Sequence, residues 1–194
     1  MIAKELLNPR SIVVVGASAD VQKPGGKVLK NLLNSNFKGV VYAVNPKEDE
    51  VQGVKCYKKV EDLPQVDCAI MAIAAKFCPS TVDVLAKEKG TKGYIILSAG
   101  FSEENAEGAA IEKHIVDTVN SVGGTLIGPN CTGFLNTNYC GAFDAPIPTL
   151  DPHGVDFITG SGATAVFIKE YGMTNGLPFN SVWAVGNSAQ TGIE

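Results

Sequence analysis

The chain alternates short, almost purely apolar runs with longer stretches whose apolar positions recur three and four residues apart. The apolar runs are "SIVVVGAS" (11–18), "GVVYAVN" (39–45), "VDCAIMAIA" (66–74), "GYIILSAG" (93–100) and "GTLIGPNC" (124–131). Each is short for a helix, and the third is apolar on both faces, as strands are in a parallel sheet covered on both sides. Between them, Val28, Leu29, Leu32 and Leu33 share one face of a helix over 25–36, and "PSTVDVLAKEKG" (79–90) reads as a helix stopped by Gly90. Ile111, Ile115 and Val119 recur at helical spacing within 102–124. Ser102 is the expected N-cap of that last helix, with Glu103 and Glu104 at its positive end. Strand and helix repeated from 11 to 131 predict an α/β fold, a Rossmann-like doubly wound parallel sheet with right-handed crossovers.

The rhythm breaks at "CGAFDAPIPTLDPHG" (140–154), where Pro146, Pro148 and Pro152 read as a linker. A second unit follows, with strand "VDFIT" (155–159), turn and helix "GSGATAVFIKEYG" (160–172) and strand "NSVWAVGNS" (180–188). The expected organisation is one domain over 1–140, a Pro-rich linker over 141–154 and the first β-α-β unit of a second domain over 155–194. A lone unit of about forty residues does not cover both faces of a sheet. It is therefore expected to be cut short or to draw its remainder from packing on the first domain.

Composition narrows the function classes. The 194 residues are 45% hydrophobic, enough for a sizeable core. A net charge of −4 gives no bulk attraction to nucleic acid or anionic membranes. No apolar run approaches the roughly 18 residues of a membrane span, and "MIAKELLNPR" lacks the apolar stretch of a signal peptide. The 5 cysteines (Cys56, Cys68, Cys78, Cys131 and Cys140) are odd in number and form no Cys-x-x-Cys pair. Reduced thiols, a cytoplasmic setting and no metal site are expected.

Candidate chemistry sits in the turns, because doubly wound sheets bind ligands beyond the carboxyl ends of their strands. After the first strand, Gly16, Ala17 and Ser18 open a long turn that Lys23, Pro24, Gly25 and Gly26 close. It departs from Gly-x-Gly-x-x-Gly. Small residues there let backbone N–H groups and the Ser18 hydroxyl surround an anion at a helix N-terminus, with Lys23 and Lys27 beside it. The competing reading is glycine needed only to pack helix on strand. The second strand ends in Asn45-Pro46-Lys47, where an NAD site carries an acid. A cation there suits an additional ribose phosphate, as in NADP or coenzyme A, and spacing leaves the two open alongside a merely solvated lysine. Ser161, Gly162 and Ala163 open the helix of the second unit and form a second candidate anion site. Cys131 invites a nucleophile reading, set against the commoner buried thiol. His114 falls among Glu112, Lys113 and Asp117 on a helix surface, and His153 in the linker.

Taken in order, "GAS…KPGGKVLKNL", "VYAVNPK", "SAGFSE", "LIGPNC.GF" and "GSGA…VGN" resemble the CoA-binding part of the nucleoside-diphosphate-forming acyl-CoA synthetases. Within these the ADP-forming acetyl-CoA synthetases, relatives of the succinyl-CoA synthetase α subunit, look most alike, and the resemblance covers essentially the whole chain. It implies a Rossmann-like CoA domain followed by a flavodoxin-like one. It implies the reversible reaction of acyl-CoA, ADP and phosphate to acid, CoA and ATP, through an acyl phosphate and a phosphohistidine. The partners implied are CoA, a small carboxylic acid or its acyl-CoA, and an ATP-grasp region carrying ATP/ADP and Mg2+, in the same chain or another subunit.

By position in the motifs, the resemblance puts the CoA pyrophosphate on Gly16, Ala17, Ser18 and Lys23 to Gly26, and the adenosine end on Asn45, Pro46 and Lys47. Ala74 and Ala75 line the cofactor, Ser98 and Ala99 the pantetheine arm, and Asn130 and Cys131 the thiol; Ser161, Gly162 and Ala163 cradle the phosphate of the phosphohistidine. Neither histidine stands at the family's position, so the phosphohistidine is expected beyond Glu194 and no catalytic residue within this chain. The competing functions are an NADP-dependent Rossmann oxidoreductase and a non-catalytic CoA or nucleotide sensor. The basic DNA-binding region of the redox repressors that share the fold is not found.

Overall fold

The computed structural model describes residues 2–193, so Glu194 lies outside the described residues. A short helix α1 (Lys4–Leu7) leads into β1 (Ser11–Val15), α2 (Pro24–Leu33), β2 (Val40–Val44), β3 (Glu50–Val51) and β4 (Val54–Tyr57). After a 3-10 turn come β5 (Cys68–Met71), α3 (Cys78–Glu88), β6 (Gly93–Ile96), α4 (Ala106–Ser121) and β7 (Thr125–Ile127). The strands form a seven-stranded sheet in the order β3-β4-β2-β1-β5-β6-β7, parallel throughout except for the β3–β4 hairpin. With that hairpin strand set aside, the parallel strands run 3-2-1-4-5-6 in chain order, the order of the dinucleotide-binding folds. Strand order reverses between β1 and β5.

The five apolar runs all form strands, each yielding its last residues to the turn that follows. Ile12 and Val14 of β1 pack with Val28, Leu29 and Leu32 of α2 on one face. Val13, Val15, Ala69 and Met71 pack on the other face with Val82 and Leu85 of α3 and Ile115 and Val119 of α4. Each such fully buried Val, Leu or Ile contributes about 1.5–3 kcal/mol of transfer free energy. Strands β3 and β4 escape the apolar pattern because they lie at the sheet edge, where Glu50 and Lys55 face water.

One cap differs from expectation. The helix anticipated from Ser102 starts at Ala106, with Asn105 as N-cap accepting the Gly108 N–H at 2.9 Å. A Cβ on Gly108 would lie 2.0 Å from the Phe101 carbonyl oxygen. The loop from 101 thus folds under the first turn and delays the helix. Ser102 instead donates to Glu112 at 2.8 Å, and Glu103 accepts the Gly100 N–H at 2.6 Å.

A second sheet holds β8 (Gly133–Asn136), β9 (Cys140–Ala142), β10 (Leu150–Thr159) and β11 (Phe179–Ala184) in the order β10-β11-β8-β9, with α5 (Gly162–Thr174) linking its parallel pair. The β-α-β unit is therefore joined by a hairpin that precedes the prolines. Asn136 turns that hairpin by accepting the N–H groups of Asn138 and Tyr139 at 2.9 and 3.1 Å. The expected linker over 141–154 is irregular only between β9 and β10, and the second sheet already begins at Gly133, before the expected boundary at 140. Ala165 of α5 covers Leu135, Phe179, Val182 and Ala184 on one face. On the other face Phe134 and Trp183, 4.1 Å between ring centroids, join the core of the first sheet.

Two further links tie the sheets together. The strap after β11 seals the free edge of β7: the Ala189 N–H donates to the Gly128 carbonyl at 3.2 Å, and Gln190 Oε1 accepts the Leu126 N–H at 2.6 Å. Inside, Lys169 of α5 pairs with Asp144 at 2.6 Å, with the two side chains 0% and 8% exposed. Asn31 of α2 donates to the Ala142 and Asp144 carbonyls at 2.8 and 3.0 Å. Among the described residues, no helix is long and apolar enough to cross a membrane.

Candidate functional site

The β1–β5 reversal opens a crevice at the carboxyl edge of the sheet, and the turn after β1 lines it. Gly16 has φ +85°, and a Cβ there would sit 2.5 Å from the Ala72 carbonyl oxygen. A Cβ on Gly25 would lie 2.0 Å from the Gly16 oxygen, and one on Gly26 would lie 2.0 Å from the Asp20 oxygen. The glycines are thus required for packing, and that packing draws the N-terminus of α2 onto the turn. No side chain caps this helix: Lys23 is the N-cap without a side-chain bond, and Pro24 has no N–H to leave unpaired. The first turn keeps its positive end. Ser18 Oγ accepts the Asp20 N–H at 3.1 Å, shaping the turn from within.

The end of β2 explains its asparagine. Asn45 Nδ2 donates to the Ala17 carbonyl at 2.8 Å, while its Oδ1 accepts the N–H groups of Lys47 and Glu48 at 2.8 and 3.1 Å. An ionised aspartate accepts but does not donate, so it would leave Ala17 unpaired. The Asn45 side chain therefore serves the turn rather than facing a ligand. Gln52 adds a second clamp that the sequence pattern did not single out, donating to the Ser18 and Gly26 carbonyls at 2.8 and 2.9 Å. Lys47 is exposed beside this clamp. Lys58, by contrast, is held by Asp49 at 2.7 Å. A cavity of about 260 Å³ lies next to the ends of β1 and β2, lined by Val15, Val44, Lys59, Val60, Thr81 and Val84.

The other strand exits join the same edge. Ala74 and Ala99 are exposed and Ala75 is half-buried. Ser98 Oγ donates to the Ile73 carbonyl, and the Asn130 N–H donates to the Ser98 carbonyl at 2.8 Å. The turns after β5, β6 and β7 are thereby stitched together. Cys131 is 4% exposed, its thiol donates to the Ile96 carbonyl at 3.3 Å, and burial pushes its pKa up to about 12. It is a buried structural thiol, and the nucleophile reading falls. All five cysteines are buried and free, so a thiol-reactive disulfide reagent at pH 8 is expected to release almost no chromophore until denaturant is added. One fast-reacting equivalent in the native protein contradicts this burial.

Ser161, Gly162 and Ala163 open α5. Ser161 caps the helix by accepting the Thr164 N–H at 3.3 Å, and its own N–H is taken by Thr159 Oγ1 at 3.1 Å. What remains for an anion is the Gly162–Ala163 backbone. A Cβ on Gly162 would lie 2.5 Å from Thr132 Cγ2, so this helix end adjoins the turn after β7. His114 is exposed on α4, 3.1 Å from Asp83, and His153 is exposed on β10. Neither belongs to the gathered turns. Asn187 does belong, although only the "VGN" motif hinted at it. Its N–H donates to the Pro129 carbonyl at 3.0 Å, and its side chain meets Glu103, Glu112 and Asn130.

The arrangement gathers the strand-exit turns at one edge of the sheet, with a recess of mixed apolar and polar lining beside the ends of β1 and β2. The sequence matches the profile of the CoA binding domain family over residues 10–137. The chain belongs to that family. The chain is 42% identical over 184 residues to the α subunit of acetate–CoA ligase [ADP-forming] II of Pyrococcus furiosus, covering 94% of this chain and 39% of the relative. It is 38% identical to acetate–CoA ligase [ADP-forming] I of Archaeoglobus fulgidus, covering 96% of this chain and 27% of the relative. Its fold superposes on the dinucleotide forming acetyl-coenzyme A synthetase 1 of Ca. Korarchaeum cryptofilum, solved with phosphate and ADP, at a TM-score of 0.85 and 36% identity over 94% of this chain and 39% of that one. The chain thus spans well under half the length of these relatives.

Proposed function

We propose that this chain is the CoA-binding portion of an ADP-forming acyl-CoA synthetase. The observation that carries the reading is the gathering of the five strand-exit turns around the β1–β5 reversal, centred on the glycine-packed, uncapped N-terminus of α2. Gly16 to Ser18 and Lys23 to Gly26 take the pyrophosphate, and Lys47 the 3′-phosphate. Ala74, Ala75, Ser98 and Ala99 follow the pantetheine arm toward Asn130. The first sheet is the CoA domain, and the second opens a flavodoxin-like domain whose Gly162–Ala163 amides receive a phosphoryl group. CoA, when bound, supplies the thiol. The larger protein interconverts acyl-CoA, ADP and phosphate with a small carboxylic acid, CoA and ATP in the cytoplasm, with ATP/ADP and Mg2+ held on an ATP-grasp region.

Calorimetry with CoA and dephospho-CoA tests the assignment. CoA is expected to bind more tightly, and Lys47→Ala is expected to weaken CoA about fivefold while leaving dephospho-CoA unchanged, as for one exposed charge-assisted hydrogen bond. Equal binding of the two ligands by the unmodified chain removes the role given to Lys47. Binding of neither overturns the function.

A further inference from the structure

At the exit of β7 a chain of side-chain hydrogen bonds has only one permitted direction. The Asn187 amide nitrogen donates to Glu103 and, at 2.9 Å, to Glu112. Glu103 and Glu112 are carboxylates, which when ionised only accept, and the third neighbour, the Ser102 hydroxyl at 3.3 Å, donates its own proton to Glu112. Burial works to raise the Glu103 pKa, but the bonds from Asn187, Gly100 and Phe101 outweigh it and hold that carboxylate below its usual range. The nitrogen of Asn187 must therefore face the two acids and its Oδ1 must face away. There Asn130 Nδ2 donates to it at 3.3 Å. One N–H of Asn130 is consumed, leaving its Oδ1 and its second N–H for a ligand.

The backbones on both sides are fixed as well. Asn130 sits at φ +54° with its N–H on Ser98, and a Cβ on Gly186 would lie 2.4 Å from the Asn130 carbonyl oxygen. Without this relay, the Asn130 amide has two equivalent orientations, only one of which offers an acceptor at a given place. We propose that Asn187, oriented by Glu103 and Glu112, is a positioning residue that sets the Asn130 amide so that its carbonyl oxygen receives the S–H of bound CoA. The proposal rests on the reading that the thiol ends at Asn130.

The test compares CoA with desulfo-CoA, which lacks only the sulfur, by calorimetry on the full chain. The unmodified chain is expected to favour CoA about threefold, as for one weak hydrogen bond. In Asn187→Leu the preference falls to about one, with desulfo-CoA affinity unchanged. Glu103→Gln combined with Glu112→Gln keeps the shapes but removes the directional constraint, and the preference drops there too. This second variant carries the test if the leucine disturbs folding. A preference that survives both variants, or an equal loss for the two ligands, overturns the proposal. Equal affinities in the unmodified chain also overturn it while leaving the CoA site standing. Binding of neither ligand removes the site and the proposal together.

Discussion

Lys169→Met is expected to cost about 3–5 kcal/mol of stability, because it strands Asp144 as an uncompensated buried charge. At this chain length that lowers the thermal midpoint by roughly 6–20 °C. Lys169 is fully buried, its partner lies 2.6 Å away, and Asp144 Oδ1 already has no hydrogen-bond partner. A pair so incompletely satisfied gains little over apolar packing. The double variant Lys169→Met with Asp144→Leu is therefore expected to return to within about 1 kcal/mol of the unmodified chain. Circular-dichroism melts and urea titrations of the single and double variants check both statements. A single variant as stable as the unmodified chain would show that water reaches the pair. The cost bears on function because Asp144 lies between α5 and the Asn31 side chain of α2. The ion pair thus helps hold α5 against the segment that Asn31 of α2 grips.

Gly25→Ala is the other large effect. The new Cβ would sit 2.0 Å from the Gly16 carbonyl, a backbone atom that cannot rotate away. The N-terminus of α2 must then lift off the turn, at the 1–3 kcal/mol typical of overpacking. Its amides move out of register with the pyrophosphate, and CoA affinity is expected to fall about 10- to 100-fold. Gly160→Ala is the control, since a Cβ there meets only the Gly186 oxygen at 3.8 Å and CoA binding should not change. Should Gly25→Ala bind CoA as tightly as Gly160→Ala, the pyrophosphate does not lie at this turn.

The parallel sheet was legible because five of its strands are continuous apolar runs, and the long turn after β1 announced itself through its glycines. Other features depend on partners far away in the chain. The edge strands β3 and β4 carry charge where they meet water, and β8 and β9 are short strands whose place is set by pairing, β8 with β11 and β9 with β8. Asn45 was legible as the absence of an acid, yet its purpose became visible only with the Ala17 carbonyl 2.8 Å away. Ser102 has the right residue type for a cap, but the missing side chain of Gly108 lets the loop tuck beneath the helix and passes the cap to Asn105. Asn187 was hinted at only as the last residue of "VGN", with nothing in its sequence neighbourhood to give it a role. Its neighbours Glu103, Glu112 and Asn130 come from the turns after β6 and β7 and from α4.

The most direct measurement of the central claim is a map of backbone amide shifts as CoA is titrated into the isotopically labelled chain. The shifts are predicted to gather at Gly16 to Gly26, Lys47, Ala74, Ala75, Ser98, Ala99 and Asn130. An unchanged spectrum at millimolar CoA contradicts the account. So do shifts confined to the groove of the second sheet around Asn138, Asp156 and Trp183.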